Sequence, residues 1–316
     1  MKKISFIIPC YCSALTIRQV VEEVEATYAE LSQFETEVIL VNDASPDDDA
    51  TWEVIARLAR DKKNVTGINL ARNFGQHAAL MAGFHATTGD IIVCLDDDGQ
   101  TPAKESTKLI AAIEKGADAV YARYLNKQHS AARNFGTALN EWMARVLIGK
   151  PKALYVSSYF AVRRFVADEM MKYDGSYPYV VGLVLRTTRN IVNVDVQHKS
   201  REIGRSGYTF GKLFSLWLNG FTAFSIKPLR VATFTGGVFA LLGFLYGIYT
   251  IIKKFVNPEV PLGFSAMMCA IVLMGGMIMV MLGLVGEYIG RLYMTGNHSP
   301  QYVIRETTKD LKPADE

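Results

Sequence analysis

The chain has 316 residues, half of them hydrophobic, and a formal net charge of +3 at pH 7. That length suits two domains better than one, and so small a net charge excludes a global basic field of the kind that gathers nucleic acid, so no nucleic-acid partner is expected. The apolar half is unevenly spread: residues 231–252 (VATFTGGVFALLGFLYGIYTII) and 260–286 (VPLGFSAMMCAIVLMGGMIMVMLGLVG) carry no charge, and each exceeds the roughly 18 to 20 apolar residues that cross a bilayer core.

The N-terminal MKKISFIIPCYCS begins with two lysines, but its apolar run is too short for a signal peptide and no small-residue cleavage site follows. Bounded by Pro9, ISFIIP instead predicts a buried parallel strand. Leu15, Ile17, Val20, Val21, Val24 and Leu31 recur at helical spacing over 14–31. EVILVND predicts the second strand, and DDDATWEVIARLAR a second helix with aspartates in the first turn, where the helix dipole favours anions. VTGINLA is a third strand, GQHAALMAGFHAT a third helix and DIIVCLD a fourth strand. PAKESTKLIAAIEKG predicts a helix with Pro102 early and Gly116 at its end, and ADAVYARY a fifth strand. Repeated strand–helix units predict a doubly wound, Rossmann-like α/β sheet, mainly parallel, whose ligands bind beyond the carboxyl ends of the strands. ARNFG occurs at 71–75 and 132–136, but the flanks do not match and no internal repeat is inferred.

Beyond residue 160 a basic stretch, HKSREIGRSGYTFGK (198–212), precedes LFSLWLNGFTAFSIKPLR. The latter predicts an amphipathic helix lying on a membrane surface over 211–230, with an ordinary packing helix as the alternative. The expected organisation is then a catalytic domain over 1–210, this juxtamembrane helix, and a two-helix membrane domain over 231–290 with spans at about 231–252 and 262–288. A cytoplasmic tail over 291–316 follows. Cys10, Cys12, Cys94 and Cys269 show neither zinc spacing nor a disulfide framework, as reduced thiols of a cytoplasmic compartment would.

The polar clusters fall where a doubly wound sheet binds ligands. PCYCS, NDASPDD, ARNFG and DDDGQ each follow a predicted strand, so four polar loops share one edge. Three adjacent carboxylates, Asp96 to Asp98, sit badly in any regular element, yet at a strand end they can be delivered to a cation. Asp96, Asp98 and Gln100 alternate along an extended segment and offer only oxygen, which suits a hard cation, Mg2+ or Mn2+. A lone D-x-D is weak evidence; its position at the end of a strand, beside the other loops, gives it weight.

FIIPCY, VILVNDASPDD, ARNFGQHAALMAGFHATTGDIIVCLDDDGQTP and REIGRSGY, followed by two spans, resemble family 2 glycosyltransferases of the polyprenyl-phosphate group, the dolichyl-phosphate mannose synthase-like and bactoprenol glucosyltransferase-like enzymes. The resemblance covers nearly the whole chain, and D-x-D-x-Q with R-N-x-G upstream is specific to this branch. It implies a GT-A catalytic domain and inverting, metal-dependent transfer from a nucleotide sugar, a UDP-hexose, to a polyprenyl phosphate such as undecaprenyl phosphate, for cell-envelope glycan modification. It further implies a multi-pass protein of the inner membrane, with the catalytic domain on the cytoplasmic face and a homo-oligomeric, tetrameric state. By the same resemblance Pro9, Tyr11, Asp43 and Arg72 bind the nucleotide. Asp96 lies near the ribose and the metal, Asp97 turns toward the ribose or solvent, and Asp98 and Gln100 ligate the metal directly, with Asp96 and Asp98 the catalytic pair. Arg123, Arg133 and Thr137 match acceptor-phosphate contacts, a role that guanidinium forks suit. Arg201, Arg205 and Ser206 match a loop closing over the donor diphosphate. Read from the residues alone, Arg133 is equally a surface helix charge, and HKSREIGR a lipid-headgroup patch.

Several positions depart from the family pattern. Cys12-Ser13 stands where Asn-Glu is usual, and Gly99-Gln100-Thr101-Pro102-Ala103 replaces a Gln-His-Pro-Pro tail. Ser206-Gly207, preceded by Arg205, stands for a serine-lysine step, and VSSYFAVRR (156–164) replaces a GDFR-like segment whose aspartate is the proposed base. Neither Ser157 nor Ser158 can serve as that base. A sugar hydroxyl needs one to attack, whereas a phosphate monoester, with a second pKa of ~6, is already largely a dianion at neutral pH. The residues therefore suit a phosphate acceptor. Two other readings compete: a processive polysaccharide synthase, whose Q-x-x-R-W motif is absent here, and a non-catalytic nucleotide-sugar-binding membrane protein, against which the complete Asp96, Asp98 and Gln100 set argues.

Overall fold

The structure, a computed structural model, describes residues 1–124, 150–197, 227–256 and 263–310. Strands β1 (Lys2–Cys10), β2 (Phe34–Asn42), β3 (Val65–Leu70), β4 (Ile91–Cys94) and β5 (Ala119–Tyr124) alternate with helices α1 (Ile17–Ala29), α2 (Ala50–Asp61), α3 (Gln76–Ala86) and α4 (Ser106–Glu114). There follow β6 (Phe160–Arg163), α5 (Arg164–Met171), α6 (Val180–Thr187), β7 (Ile191–Val196), two long helices α7 (Lys227–Val256) and α8 (Phe264–Gly296), and β8 (Ile304–Thr307). The sheet order is β7-β5-β6-β4-β1-β2-β3-β8. β1 to β4 run parallel, β6 is antiparallel to β4 and β5, and β8 is antiparallel to β3.

β1 shows why an unbroken apolar run belongs at the centre. Successive side chains point to opposite faces, and both faces are covered. Ile4, Phe6 and Ile8 pack with Val20, Val24, Ile55 and Ile110 of α1, α2 and α4, while Ile7 packs with Leu80, Phe84, Val166 and Leu183 of α3, α5 and α6. α3 approaches closely because it has a glycine at the crossing: a Cβ on Gly83 would lie 2.3 Å from Ile7 Cγ2. From β1 the chain winds outward through β2 and β3, then returns to place β4 on the other side. Strand order reverses there, which opens a crevice between the loops after β1 and β4.

Two expectations need correcting. α2 begins at Ala50, and its aspartates precede the first turn: Asp48 and Asp49 adopt left-handed φ values of 52° and 62°, while the Asp47 carboxylate accepts from the Thr51 N–H at 3.2 Å. Residues 291–316 do not form a free tail throughout. α8 runs on to Gly296, and Ile304–Thr307 joins the sheet as its edge strand. Main-chain bonds hold that strand more than apolar side chains do, which is why hydropathy does not reveal it.

α7 and α8 have 30 and 33 residues, or about 45–50 Å at helical rise, against a hydrocarbon core of about 30 Å. Their apolar windows, Ala232–Tyr249 and Leu273–Gly296, are long enough to cross a membrane and are not buried by the protein. They form an antiparallel hairpin in which a Cβ on Gly236 would lie 2.4 Å from Met281 Cε. The amphipathic helix expected over 211–230 lies outside the described residues up to 226, and from Lys227 the chain is already part of α7.

Candidate active site at the carboxyl edge

The loop after β1 is built around a carboxylate from the loop after β4. Pro9 lies within β1, in register with Val41, and Tyr11 follows, half exposed. The Tyr11 N–H donates to Ser13 Oγ at 2.8 Å and to Asp97 Oδ2 at 3.1 Å, and the Ser13 hydroxyl donates to the same Asp97 oxygen. Asp97, expected toward the ribose or solvent, bonds within the loop after β1. It closes the Tyr11 loop, because two donors converge on one of its oxygens. Burial pushes its carboxyl pKa up, with repulsion from Asp98 adding and the bonds from Ser13 and Tyr11 opposing.

Asp96 turns the other way. Its Oδ2 accepts the Ser158 hydroxyl at 2.5 Å, and its Oδ1 accepts from Gln76 Nε2 at 3.4 Å, which brings the first turn of α3 to the site. Burial, reinforced by Asp98 and Asp97 and opposed by Ser158 and Gln76, pushes its pKa up to about 6. Asp98 Oδ1 accepts the Gln100 N–H at 3.0 Å across Gly99, whose φ of +69° favours glycine. The two residues with metal-ligating chemistry are thus held in one turn.

Asp43, which the resemblance assigns to the nucleotide, accepts the Phe74 and Gly75 N–H groups on its two oxygens at 2.8 and 2.9 Å. Burial pushes its pKa up against those bonds. Asp43 thereby ties the end of β2 to the loop after β3, where Arg72 lies over the Phe74 ring at 4.6 Å. Arg123, matched to the acceptor phosphate by the resemblance, has an acidic partner in the structure. Its guanidinium forks onto Asp195 of β7, Nε to Oδ1 at 2.5 Å and Nη2 to Oδ2 at 3.0 Å. The pleat turns it away from neighbouring Tyr124, which lies near Asp96.

The carboxyl edge thus gathers Pro9, Tyr11, Asp43, Arg72, Asp96, Asp97, Asp98 and Gln100. Arg133, Thr137, Arg201, Arg205 and Ser206 lie outside the described residues. Sequence reading did not pair Ser13 with Asp97, nor Gln76 and Ser158 with Asp96. Ser13 and Gln76 could have been flagged, because each immediately follows a predicted strand exit or helix start at this edge. Ser157 spends its hydroxyl on the Ala122 and Tyr159 carbonyls, 2.8 Å from each, and Ser158 spends its own on Asp96. Neither serine is placed as a base.

The donors fit a hard divalent cation. Asp96, Asp98 and the Gln100 carbonyl offer oxygen ligands, and the burial and neighbouring carboxylates that raise the Asp96 pKa both favour a nearby positive charge. Among the described residues no group of three His, Cys, Asp or Glu side chains converges in ligating geometry. Two carboxylates and an amide would leave coordination positions for phosphate oxygens and water, as Mg2+ commonly keeps.

The family described as Glycosyl transferase family 2 matches residues 5–171, and the GtrB C-terminal hairpin family matches residues 227–292. The undecaprenyl-phosphate 4-deoxy-4-formamido-L-arabinose transferase of Photorhabdus laumondii is 32% identical, covering 100% of this chain and 97% of its own length. The Klebsiella pneumoniae protein of the same name is 32% identical over 99% of this chain and 96% of its own. Among solved structures, the glucosyl-3-phosphoglycerate synthase of Mycobacterium tuberculosis in complex with Mn2+, UDP and phosphoglyceric acid superposes with a TM-score of 0.51 at 18% identity, over 69% of this chain and 75% of that one. Its complex with Mg2+ and UDP gives 0.51 at 16% identity, over 69% and 76%. The likeness to these structures is one of fold, the GT-A arrangement of a mainly parallel sheet.

Proposed function

Because the chain belongs to glycosyl transferase family 2 and carries the GtrB-type hairpin, we propose that it transfers a sugar from a nucleotide sugar, a UDP-sugar, to undecaprenyl phosphate or a related polyprenyl phosphate. Transfer inverts the anomeric carbon and takes place at the cytoplasmic face of the cell membrane, which α7 and α8 cross. The observation that carries the lipid acceptor is the continuity of hairpin and catalytic edge. β8, returning from α8, pairs with β3, and the Ala71 N–H at the start of the Arg72 loop donates to the Val303 carbonyl at 2.8 Å.

The residues present support a nucleophile that needs no base. Ser157 and Ser158, which stand where the family carries its proposed base, both spend their hydroxyls elsewhere, so neither would take a proton from a hydroxyl acceptor. A phosphate with a second pKa of ~6 has already lost its own. Its oxygen attacks the anomeric carbon as the bond to the nucleotide diphosphate breaks, and that diphosphate leaves with the electron pair. Asp96, Asp98 and Gln100 would hold Mg2+ or Mn2+, which when bound neutralises charge on the diphosphate. Tyr11 offers an exposed ring to the base, on a loop that Asp97 and Ser13 fix. Arg201, Arg205 and Ser206 close over the diphosphate, and Arg133 and Thr137 hold the acceptor phosphate. Arg123, forked onto Asp195, is left out of that set.

The test is to incubate purified full-length enzyme and undecaprenyl phosphate with UDP-glucose, UDP-N-acetylglucosamine and UDP-4-deoxy-4-formamido-L-arabinose, and to follow the lipid by mass. One donor should add a single glycosyl residue to the lipid phosphate. Transfer to an oligosaccharide, with the lipid phosphate unmodified by every donor, would overturn the proposal.

A further inference from the structure

A directional chain of hydrogen bonds crosses the carboxyl edge at right angles to the strands. The Cys12 N–H donates to Ser45 Oγ at 2.9 Å, and the Ser45 hydroxyl donates to Asn42 Oδ1 at 2.6 Å. Asn42 Nδ2 donates to Asn69 Oδ1 at 2.9 Å, and Asn69 Nδ2 donates to Glu306 Oε1 at 2.9 Å. Every donor points the same way, from the loop after β1 through β2 and β3 to the C-terminal strand. Asn42 and Asn69 are buried, so neither amide has water as a ready substitute partner. Bonds in such a chain polarise one another, and a carboxylate is the strongest acceptor on which to end it.

At the other end the backbone is in a form that needs holding. Cys12 and Ala44 have φ values of 56° and 48°, left-handed conformations that non-glycine residues keep only where the surroundings over-determine them. The Cys12–Ser45 bond joins the two strained loops. Glu306 stands ten residues beyond the end of α8, so the chain of bonds connects the hairpin's return strand to Tyr11's neighbour.

We infer that Glu306 is a positioning residue for the donor site. Through Asn69, Asn42 and Ser45 it fixes the Tyr11–Cys12 backbone, so that the strand returning from the hairpin shapes the nucleotide loop. The inference rests on the proposed seat of the nucleotide at Tyr11, and the experiment separates the two.

Full-length enzyme in lipid nanodiscs is titrated with UDP in the presence of Mg2+, and amide hydrogen exchange is followed over residues 11–13. Glu306→Ala should speed exchange at Cys12 and weaken UDP roughly three- to tenfold, the usual effect of losing one such bond. Glu306→Gln keeps an acceptor oxygen and should restore both to within about twofold. Thr308→Val removes a different bond, just beyond the same strand, from the Gly67 N–H to Thr308 Oγ1 at 2.9 Å, and should change neither. Unchanged UDP affinity in Glu306→Ala, failure of Glu306→Gln to restore it, or an equal loss in Thr308→Val would overturn the positioning role. Tyr11→Ala tells the failures apart. If it weakens UDP while Glu306→Ala does not, only this inference falls. If it binds UDP like the wild type, or the wild type binds none, the donor seat falls and the inference with it.

Discussion

Phe6 and Phe234 carry the same ring, yet Phe6 is 0% exposed within the sheet and Phe234 is 75% exposed on α7. The difference lies in what surrounds each. β1 alternates its apolar side chains between two faces, and helices cover both. Between Ala232 and Tyr249 α7 is apolar on all sides, and α8, which packs against it, leaves that window unburied. A helix apolar all round is buried in a protein core or in lipid, and among the described residues no core encloses this one. In the sheet, neighbouring side chains decide which residue fits. In the hairpin, length and apolarity decide, and single positions matter only where the helices touch, as at Gly236 and Met281.

The largest expected effect distinguishes the regions by chemistry. Asp98→Asn keeps the size of the side chain but removes a charge from the carboxyl edge, and should lower turnover a hundredfold or more without moving the melting temperature. Near-normal turnover in this variant, or in EDTA-treated enzyme, would remove the metal from the mechanism. The next test makes one substitution in both regions. Gly83→Ala would set a Cβ 2.3 Å from Ile7 Cγ2, whereas nothing lies within 4 Å of a Cβ on Gly243. The first should cost about 1–3 kcal/mol through overpacking, read as a lowered denaturation midpoint, and the second should cost nothing measurable. Equal costs would erase the contrast.

A smaller effect concerns acid stability. Burial raises the Glu37 pKa, but donors on Lys3, Ser5 and Thr88 outweigh it and hold the carboxyl at about 2 against its usual 4.5. The Lys3 Nζ lies 2.9 Å away, and the Thr88 N–H and Ser5 hydroxyl both lie at 2.6 Å. Because the folded pKa is the lower one, the stabilisation is fully present above about pH 4.5 and is lost as pH falls toward 2. Glu37→Gln should cost ~1.5 kcal/mol at neutral pH and flatten the decline of stability across that window in an acid titration. A decline as steep as in the wild type would assign it to other carboxylates. The smallest effect is expected at Arg123, whose pair with Asp195 is exposed on both sides and so contributes little. Arg123→Ala should leave melting and acceptor efficiency unchanged, and a tenfold loss in acceptor efficiency would return Arg123 to the acceptor-phosphate set.

The alternation of strands and helices through Tyr124 could be read in advance because it is a local, periodic signal. So could the gathering of four polar loops at one edge, which follows from the handedness of strand–helix–strand units. What could not be read was how each polar group spends its bonds. Asp97 is taken up by Tyr11 and Ser13, Asp43 by Phe74 and Gly75, and Arg123 by Asp195, partners 31 to 86 residues away. Carboxylates next to one another in sequence look alike, and only the folded loops decide which oxygen meets which N–H. β8 escaped for a related reason. Its partner strand is more than 230 residues earlier, and IRET has one apolar residue in four.

The return of the chain to the sheet also sets the order in which the protein is assembled. Both hairpin helices are synthesised before Ile304–Thr307, so the ribosome delivers the edge strand only after the apolar segments have left it. Until then the β3 edge presents unpaired amides and carbonyls, the kind of surface on which strands of other chains add. A chain interrupted within α8 would keep that edge open, and a chain that inserted one helix instead of two would leave β8 on the far side of the bilayer from β3. On the proposed topology, in which α7 and α8 both cross the membrane, completion of the sheet reports an even number of crossings.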